Sequence, residues 1–210
     1  MTVSTHHHQA LLIFVKNPRL GRVKTRLARE IGDEQALEIY HLLLRHTRRA
    51  AEKLPFRKFL FYSDFVEEND EWSGEIFHKQ AQNGAGLGER MCNAFQRVFA
   101  EAGITRAVII GSDCPDVSPE LLTKAFLALE THDFVLGPAR DGGYYLLGMR
   151  QLEEIIFQNK RWSTATVLAD TLTDLRGLGK SFYLLPVLSD VDTAADLPAE
   201  MLDQITGHQR

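Results

Sequence analysis

Asp113 and Asp192 are the residues whose type and setting best suit metal binding. Asp113 follows the apolar run Ala107-Val108-Ile109-Ile110 and sits in the turn Gly111-Ser112-Asp113-Cys114-Pro115-Asp116. A short run rich in β-branched residues indicates a strand buried on both faces. An acid delivered at the carboxyl end of such a strand stands where open α/β sheets bind ligands. Asp192 holds a comparable place in Ser189-Asp190-Val191-Asp192, past a late apolar segment. Mg²⁺ and Mn²⁺ take oxygen ligands, commonly one or two carboxylates completed by phosphate and water. Two acids at neighbouring strand ends would grip one such ion from opposite sides. Asp116 reads equally well as a turn residue, and Asp190 or Asp192 as a helix N-cap.

Phosphate is the expected second ligand. Six basic residues and no acid lie between Lys16 and Arg29, although the chain carries a net charge of -4. Lys16, Lys24 and Arg26 can neutralise phosphate oxygens, and Gly21 allows close backbone approach. The segment lacks the spacing of a P-loop. Gly84-Ala85-Gly86-Leu87-Gly88-Glu89-Arg90 precedes a helical pattern, so Gly86 and Gly88 can expose backbone N–H groups to an anion beside Arg90. A third group comes after another apolar run, in Gly137-Pro138-Ala139-Arg140-Asp141-Gly142-Gly143-Tyr144. Asp141 is the candidate base for an acceptor hydroxyl. Gly142, Gly143 and Tyr144 would form an acceptor or sugar pocket, with Trp162 as its lid or wall. Ser163 reads as the N-cap of the next helix.

The elements that must position these residues alternate between strand and helix. Apolar runs at Leu11–Val15, Lys58–Ser63, Ala107–Ile110, Asp133–Pro138, Tyr144–Met149 and Phe182–Leu185 predict strands, with a short edge strand at Ile76–His78. Helical spacing from Asp33 to Pro55, Glu89 to Ala102, Pro119 to Glu130 and Ser163 to Leu175 fills the gaps, and Asp192–Leu197 opens a last helix. Ser118 and Pro119 form a strong helix start. Such alternation predicts an α/β fold with a mostly parallel sheet, and Asp141-Gly142 marks one antiparallel excursion. No linker or repeat divides the chain, so a single domain over residues 1–210 is expected.

Composition narrows the function classes. With 44% hydrophobic and 25% charged residues, a packed core is expected. The net charge of -4 offers no footprint for nucleic acid. No apolar run approaches the roughly 20 residues of a membrane span, and the start lacks the pattern of a signal peptide. Two cysteines, Cys92 and Cys114, outside any C-x-x-C pair, suit free thiols in a cytoplasmic protein. His6-His7-His8 is either native or the remnant of a tag, and homo-oligomers are compatible with everything above. The motifs of zinc hydrolases and serine-nucleophile enzymes are absent.

Four segments in order, K-N-P-R-L-G-R-V-K-T-R-L, G-L-G-E-R-M, G-S-D-C-P-D and G-P-A-R-D-G-G-Y-Y-L-L-G, resemble a bacterial family of glycosyltransferases. That family is often called the selenodomain-associated transferases, and some members are linked to arsenosugar synthesis. It belongs to the nucleotide-diphospho-sugar transferase superfamily with the GT-A fold. The resemblance spans nearly the whole chain and implies a three-layer α/β/α domain, a nucleotide-sugar donor, a small-molecule acceptor and a divalent metal (Mg²⁺ or Mn²⁺).

Nucleotidyltransferases of the same superfamily offer a second likeness. Asp113-Cys114-Pro115 is similar to the D-x-P of molybdenum-cofactor nucleotidyltransferases. Val191-Asp192-Thr193-Ala194-Ala195-Asp196-Leu197 is similar to the V-D-T-P-E-D-L of cytidylyltransferases, whose first aspartate, here Asp192, binds metal. The glycine-rich triphosphate loop of those enzymes is replaced here by the lysine–proline segment. Three readings result: glycosyl transfer, nucleotidyl transfer with release of pyrophosphate, and nucleotide binding without catalysis.

Overall fold

The computed structural model describes residues 8–199 and 201. Its elements run β1 (Gln9–Val15), α1 (Thr25–Ile31), α2 (Asp33–Glu52), β2 (Arg57–Tyr62), β3 (Phe77–Ala81), α3 (Leu87–Phe99), β4 (Arg106–Ile110), α4 (Pro119–Ala128), β5 (Phe134–Pro138), β6 (Tyr144–Met149), α5 (Val167–Gly177) and β7 (Phe182–Leu184). The strands form one seven-stranded sheet in the order β3-β2-β1-β4-β6-β5-β7. β6 is antiparallel to both of its neighbours, β4 and β5; the other pairings are parallel. The expected α/β fold with one antiparallel excursion is therefore the observed one.

Apolar runs produce this arrangement because the strands are covered on both faces. Leu11, Ile13 and Val15 of β1 join Val108 and Ile110 of β4 in a core under α2 and α4. The alternate residues Ala10, Leu12, Ala107 and Ile109 join Phe95 of α3 and Leu175 of α5 on the opposite face. A smaller third core gathers Leu27 of α1, Ile39 and Leu43 of α2, and Val191 and Leu197 of the late segment. It fastens the basic segment to the chain's last described stretch. The chain turns back at β1, with β2 on one side and β4 on the other. That switch point opens a crevice at the carboxyl ends of the strands.

Several local expectations need revision. Ser118 does cap α4, accepting a hydrogen bond from the Leu121 N–H at 3.2 Å. Ser163 does not cap α5: the helix begins at Val167 after Thr166, and Ser163 has φ 61°. The chain makes an extra left-handed bend there before it can enter the helix. α1 is a separate seven-residue helix, too short to reveal itself by periodicity. The opening of the expected last helix is a 3-10 turn, Ala194–Asp196, with a capping box between Thr193 and Asp196. Residues 202–210, like His6 and His7, lie outside the described residues.

Gly148 of β6 is opposite Val108 on one side and Val135 on the other. A Cβ at Gly148 would stand 2.6 Å from Val135 Cγ1 and 2.9 Å from Val108 Cγ2. Gly148→Ala is expected to destabilise the protein by about 1–3 kcal/mol, read as a lower urea midpoint at unchanged slope. An unaltered midpoint would show that the sheet relaxes there without cost.

Candidate active site

A cleft of about 670 Å³ opens at the carboxyl edge of the sheet over the switch point. Its walls come from the loops after β1 and β4, the start of α3, the β5–β6 turn, the Trp162 segment and the Asp190–Asp192 stretch. Lys16, Lys24, Arg26, Gly86, Arg90, Asp113, Asp141, Gly143, Tyr144, Trp162 and Asp192 all line it. Gly21, Gly88 and Gly142 do not.

The floor is set by Tyr40, which α2 carries under the switch point. The Tyr40 hydroxyl accepts a bond from the Lys16 N–H at 2.7 Å and lies 3.3 Å from the Ser112 hydroxyl. It thereby ties the loop after β1 to the loop after β4. Burial, with the charge of Asp113 nearby, raises the Tyr40 phenol well above its usual range, so it stays neutral.

Lys24 precedes α1 in a left-handed conformation, φ 47° and ψ 43°, a backbone state that disfavours side chains. Its side chain is only 4% exposed, and Nζ stands 2.7 Å from Asp113 Oδ1. The same ammonium donates to the Val191 carbonyl at 2.7 Å. The Val191 N–H donates to the Asp113 carbonyl at 2.9 Å, so the Asp190–Asp192 stretch is laid beside the Asp113 turn. Arg26, one residue past the start of α1, reaches Asp192 at 3.3 Å. Both expected metal carboxylates are thus paired with expected phosphate-binding cations.

Asp190 completes the acidic group. Burial first, then the charges of Asp113, Asp141 and Asp192, raise its carboxyl to about 7, while Lys24 pulls the other way. The signal for Asp190 was present as a D-x-D spacing, Asp190-Val191-Asp192. In extended chain, that spacing puts both acids on one side while Val191 enters the third core. An N-cap role accounts for neither acid, since Thr193 fills that position.

Among the described residues no three metal-binding side chains converge closely enough to cage an ion alone. The donor chemistry nevertheless fits Mg²⁺ or Mn²⁺. Asp113 and Asp192 are both oxygen donors, 41% and 43% exposed, and an ion there would complete its shell with phosphate and water.

The glycines divide into two kinds. Gly86 has open space where a Cβ would be and precedes α3 in extended conformation at the cleft wall. Gly88 instead makes room for Trp162, whose Nε1 would lie 2.1 Å from an added Cβ. Gly142, at φ 88°, lets the β5–β6 turn press on Ala165, whose carbonyl oxygen would stand 2.1 Å from a Cβ. Arg90 is directed at its own loop, donating to the Gly84 carbonyl at 3.0 Å. Asp141 accepts from the Gly143 N–H at 2.9 Å, which fixes the turn and keeps the carboxylate at the cleft. Trp162 meets Tyr144 edge-on with ring centroids 6.4 Å apart. Cys114 is buried behind Asp113, and burial pushes its thiol up to about 12, so it is inert at neutral pH.

Comparison with known proteins agrees with this architecture. The model of a family described as "Uncharacterized protein conserved in bacteria (DUF2064)" matches residues 46–164. A crystal structure of a provisionally assigned nucleotide-diphospho-sugar transferase from Desulfovibrio desulfuricans G20 matches with a TM-score of 0.82 and 34% identity, covering 89% of this chain and 83% of that one. The inositol-1-phosphate CTP transferase from T. maritima gives a TM-score of 0.54 at 12% identity over 96% of each chain. Rv0371c from Mycobacterium tuberculosis H37Rv, solved in complex with manganese, gives 0.51 at 14% identity over 90% of this chain and 95% of that one. At identities this low the last two show a shared fold. No curated protein matches the chain significantly. No described helix is long and apolar enough to cross a membrane.

The raised Asp190 carboxyl has a stability consequence. Its ordinary value is 3.8 and its folded value about 7. Between the two the native state holds a proton that the unfolded chain has released, so stability falls as pH rises through that window. In metal-free buffer, Asp190→Asn should flatten the decline between about pH 4 and pH 7 and be the more stable form at pH 8 by about 1 kcal/mol or more. Parallel curves for the two proteins would contradict the crowded-carboxylate picture.

Proposed function

The chain belongs to the DUF2064 family, and from that premise we propose that it is a transferase whose donor carries a nucleoside diphosphate. The favoured reaction is transfer of a glycosyl group from a nucleotide sugar to a small acceptor in the cytoplasm. One observation carries this reading: Lys24 and Arg26 meet Asp113, Asp190 and Asp192 in one cleft at the sheet's switch point. A diphosphate is the ligand that can use such cations and, through a metal, such carboxylates together. The D. desulfuricans relative, named for this class of reaction, supports it.

The roles derive from placement. Lys16, Gly86 and Arg90 line the cleft beside the two loops assigned to the nucleotide and its phosphates, whereas Gly21 and Gly88 shape those loops from outside the lining. Asp113 and Asp192 would hold Mg²⁺ or Mn²⁺, which supplies positive charge against the diphosphate. Asp141, in the β5–β6 turn on the cleft wall, takes the proton from the acceptor hydroxyl as its oxygen bonds to the sugar's anomeric carbon. The bond from that carbon to the diphosphate oxygen breaks, and its electron pair leaves with the nucleoside diphosphate. Lys24 and Arg26 stabilise the charge that develops on the departing group. Gly143, Tyr144 and Trp162 frame the acceptor side, with the two rings as a wall against water and Gly142 holding the turn from behind.

The Val191-Asp192-Thr193 stretch favours a second reading, because it stands against the Asp113 turn and offers the acid that cytidylyltransferases use in that motif. There a phosphorylated acceptor attacks the α-phosphorus of a nucleoside triphosphate and pyrophosphate leaves. Products separate the two: nucleoside diphosphate release supports glycosyl transfer, and pyrophosphate release supports nucleotidyl transfer. Under either, Asp113→Asn is expected to lower kcat by at least about 100-fold, the size typical of lost charge stabilisation, with its circular dichroism unchanged. Turnover near the original rate would remove Asp113 from the site.

A further inference from the structure

The cations at the start of α1 already have partners. Lys24 is buried against Asp113 and the Val191 carbonyl, and Arg26 is held by Asp192. These are the two carboxylates assigned to the metal, and the two cations are those assigned to the phosphates. These contacts compete with both assignments, since each occupies one carboxylate oxygen and the cation that faces it.

We propose that Lys24 and Arg26 form a charge latch across the site and exchange partners when the donor binds. In the free protein they neutralise Asp113 and Asp192. When a metal–diphosphate enters, the carboxylates pass to the ion and the two cations turn to the phosphate oxygens. No bond is made or broken; ionic partners are redistributed. Lys24 is suited to the exchange because its buried ammonium moves with a flexible stem. The exposed Arg26 pair, 72% and 43% open to solvent, is held weakly. The proposal rests on the diphosphate reading above and holds for glycosyl and nucleotidyl transfer alike.

An exchange of this kind makes metal and diphosphate mutually dependent. A metal binding alone must displace Lys24 from Asp113 with no anion to receive it. A diphosphate binding alone must draw Lys24 away from a carboxylate left uncompensated. Together each supplies the other's missing partner, so each should tighten the other by the same factor.

The test measures binding, without turnover. Free Mn²⁺ is followed by its EPR signal, and ADP, CDP, GDP and UDP are titrated by calorimetry in EDTA and in Mn²⁺. Lys24→Met is expected to bind Mn²⁺ alone about tenfold more tightly and to lose the mutual enhancement. Asp113→Asn is expected to bind metal-free diphosphate about tenfold more tightly while losing Mn²⁺. Lys16→Met removes a cleft cation that is in no described ion pair, and its Mn²⁺ affinity should stay within about twofold of the original. Should Lys24→Met fail to fold, Arg26→Ala, at an exposed position, gives the same direction with a smaller size.

Unchanged or weaker Mn²⁺ binding in the latch variant overturns the exchange, as does an equal gain in Lys16→Met, which would mean a general field. Diphosphate binding by no form, with or without Mn²⁺, overturns the donor reading and the exchange with it. Diphosphate binding alongside an unaltered Mn²⁺ affinity in Lys24→Met overturns the exchange alone.

Discussion

The contact between Lys24 and Asp113 is the constraint around which the carboxyl edge of the sheet is arranged. It joins three segments far apart in sequence: the loop leaving β1, the turn leaving β4, and the stretch around Val191. Burying an ammonium costs several kcal/mol unless nearby groups compensate. Here a carboxylate and a carbonyl do so, and the left-handed backbone at Lys24 is the local strain accepted to bring the side chain inward. The third core, through Leu27 and Val191, holds the same segments from behind. Apolar packing therefore sets the position, and the ion pair sets the direction, of each charged group at the edge.

The acids of the cleft keep different company. Asp113 has an ammonium at contact distance and Asp192 has a guanidinium. Asp190 is more deeply covered and is surrounded by other carboxylates, so it keeps its proton up to about pH 7. Asp141 is spent partly on its own turn, through the Gly143 N–H. Four residues of one type thus reach one cleft with four electrostatic situations.

Much of this was legible in the chain. The runs ending at Val15 and Ile110 gave away β1 and β4, since strands buried on both faces need no alternation. The position of Asp113 just past β4 followed directly, as did the Ser118 cap and the antiparallel return at Asp141-Gly142. What escaped was what depends on distant contacts. The inward turn of Lys24 is settled by a partner 167 residues away, which no local pattern carries. α1 is too short to display a period. Ser163 has the side chain of a cap but the backbone of a bend. Asp190 was spelled out beside Asp192, yet its state is set by burial and by neighbours from three other loops.

The antiparallel strand has a further consequence. By lying between β4 and β5, β6 inserts one extra strand spacing, about 4.8 Å, between the Asp113 turn and the Pro138 end of β5. It also reverses direction, so its beginning, Tyr144, rather than its end, reaches the cleft edge. The sheet then acts as a ruler. A ligand seated over the β1–β4 crevice and another seated by the β5–β6 turn are kept apart by a hydrogen-bonded lattice that cannot easily stretch. Side-chain changes along the rim would alter which molecules are accepted, but the gap between them is written into the strand order.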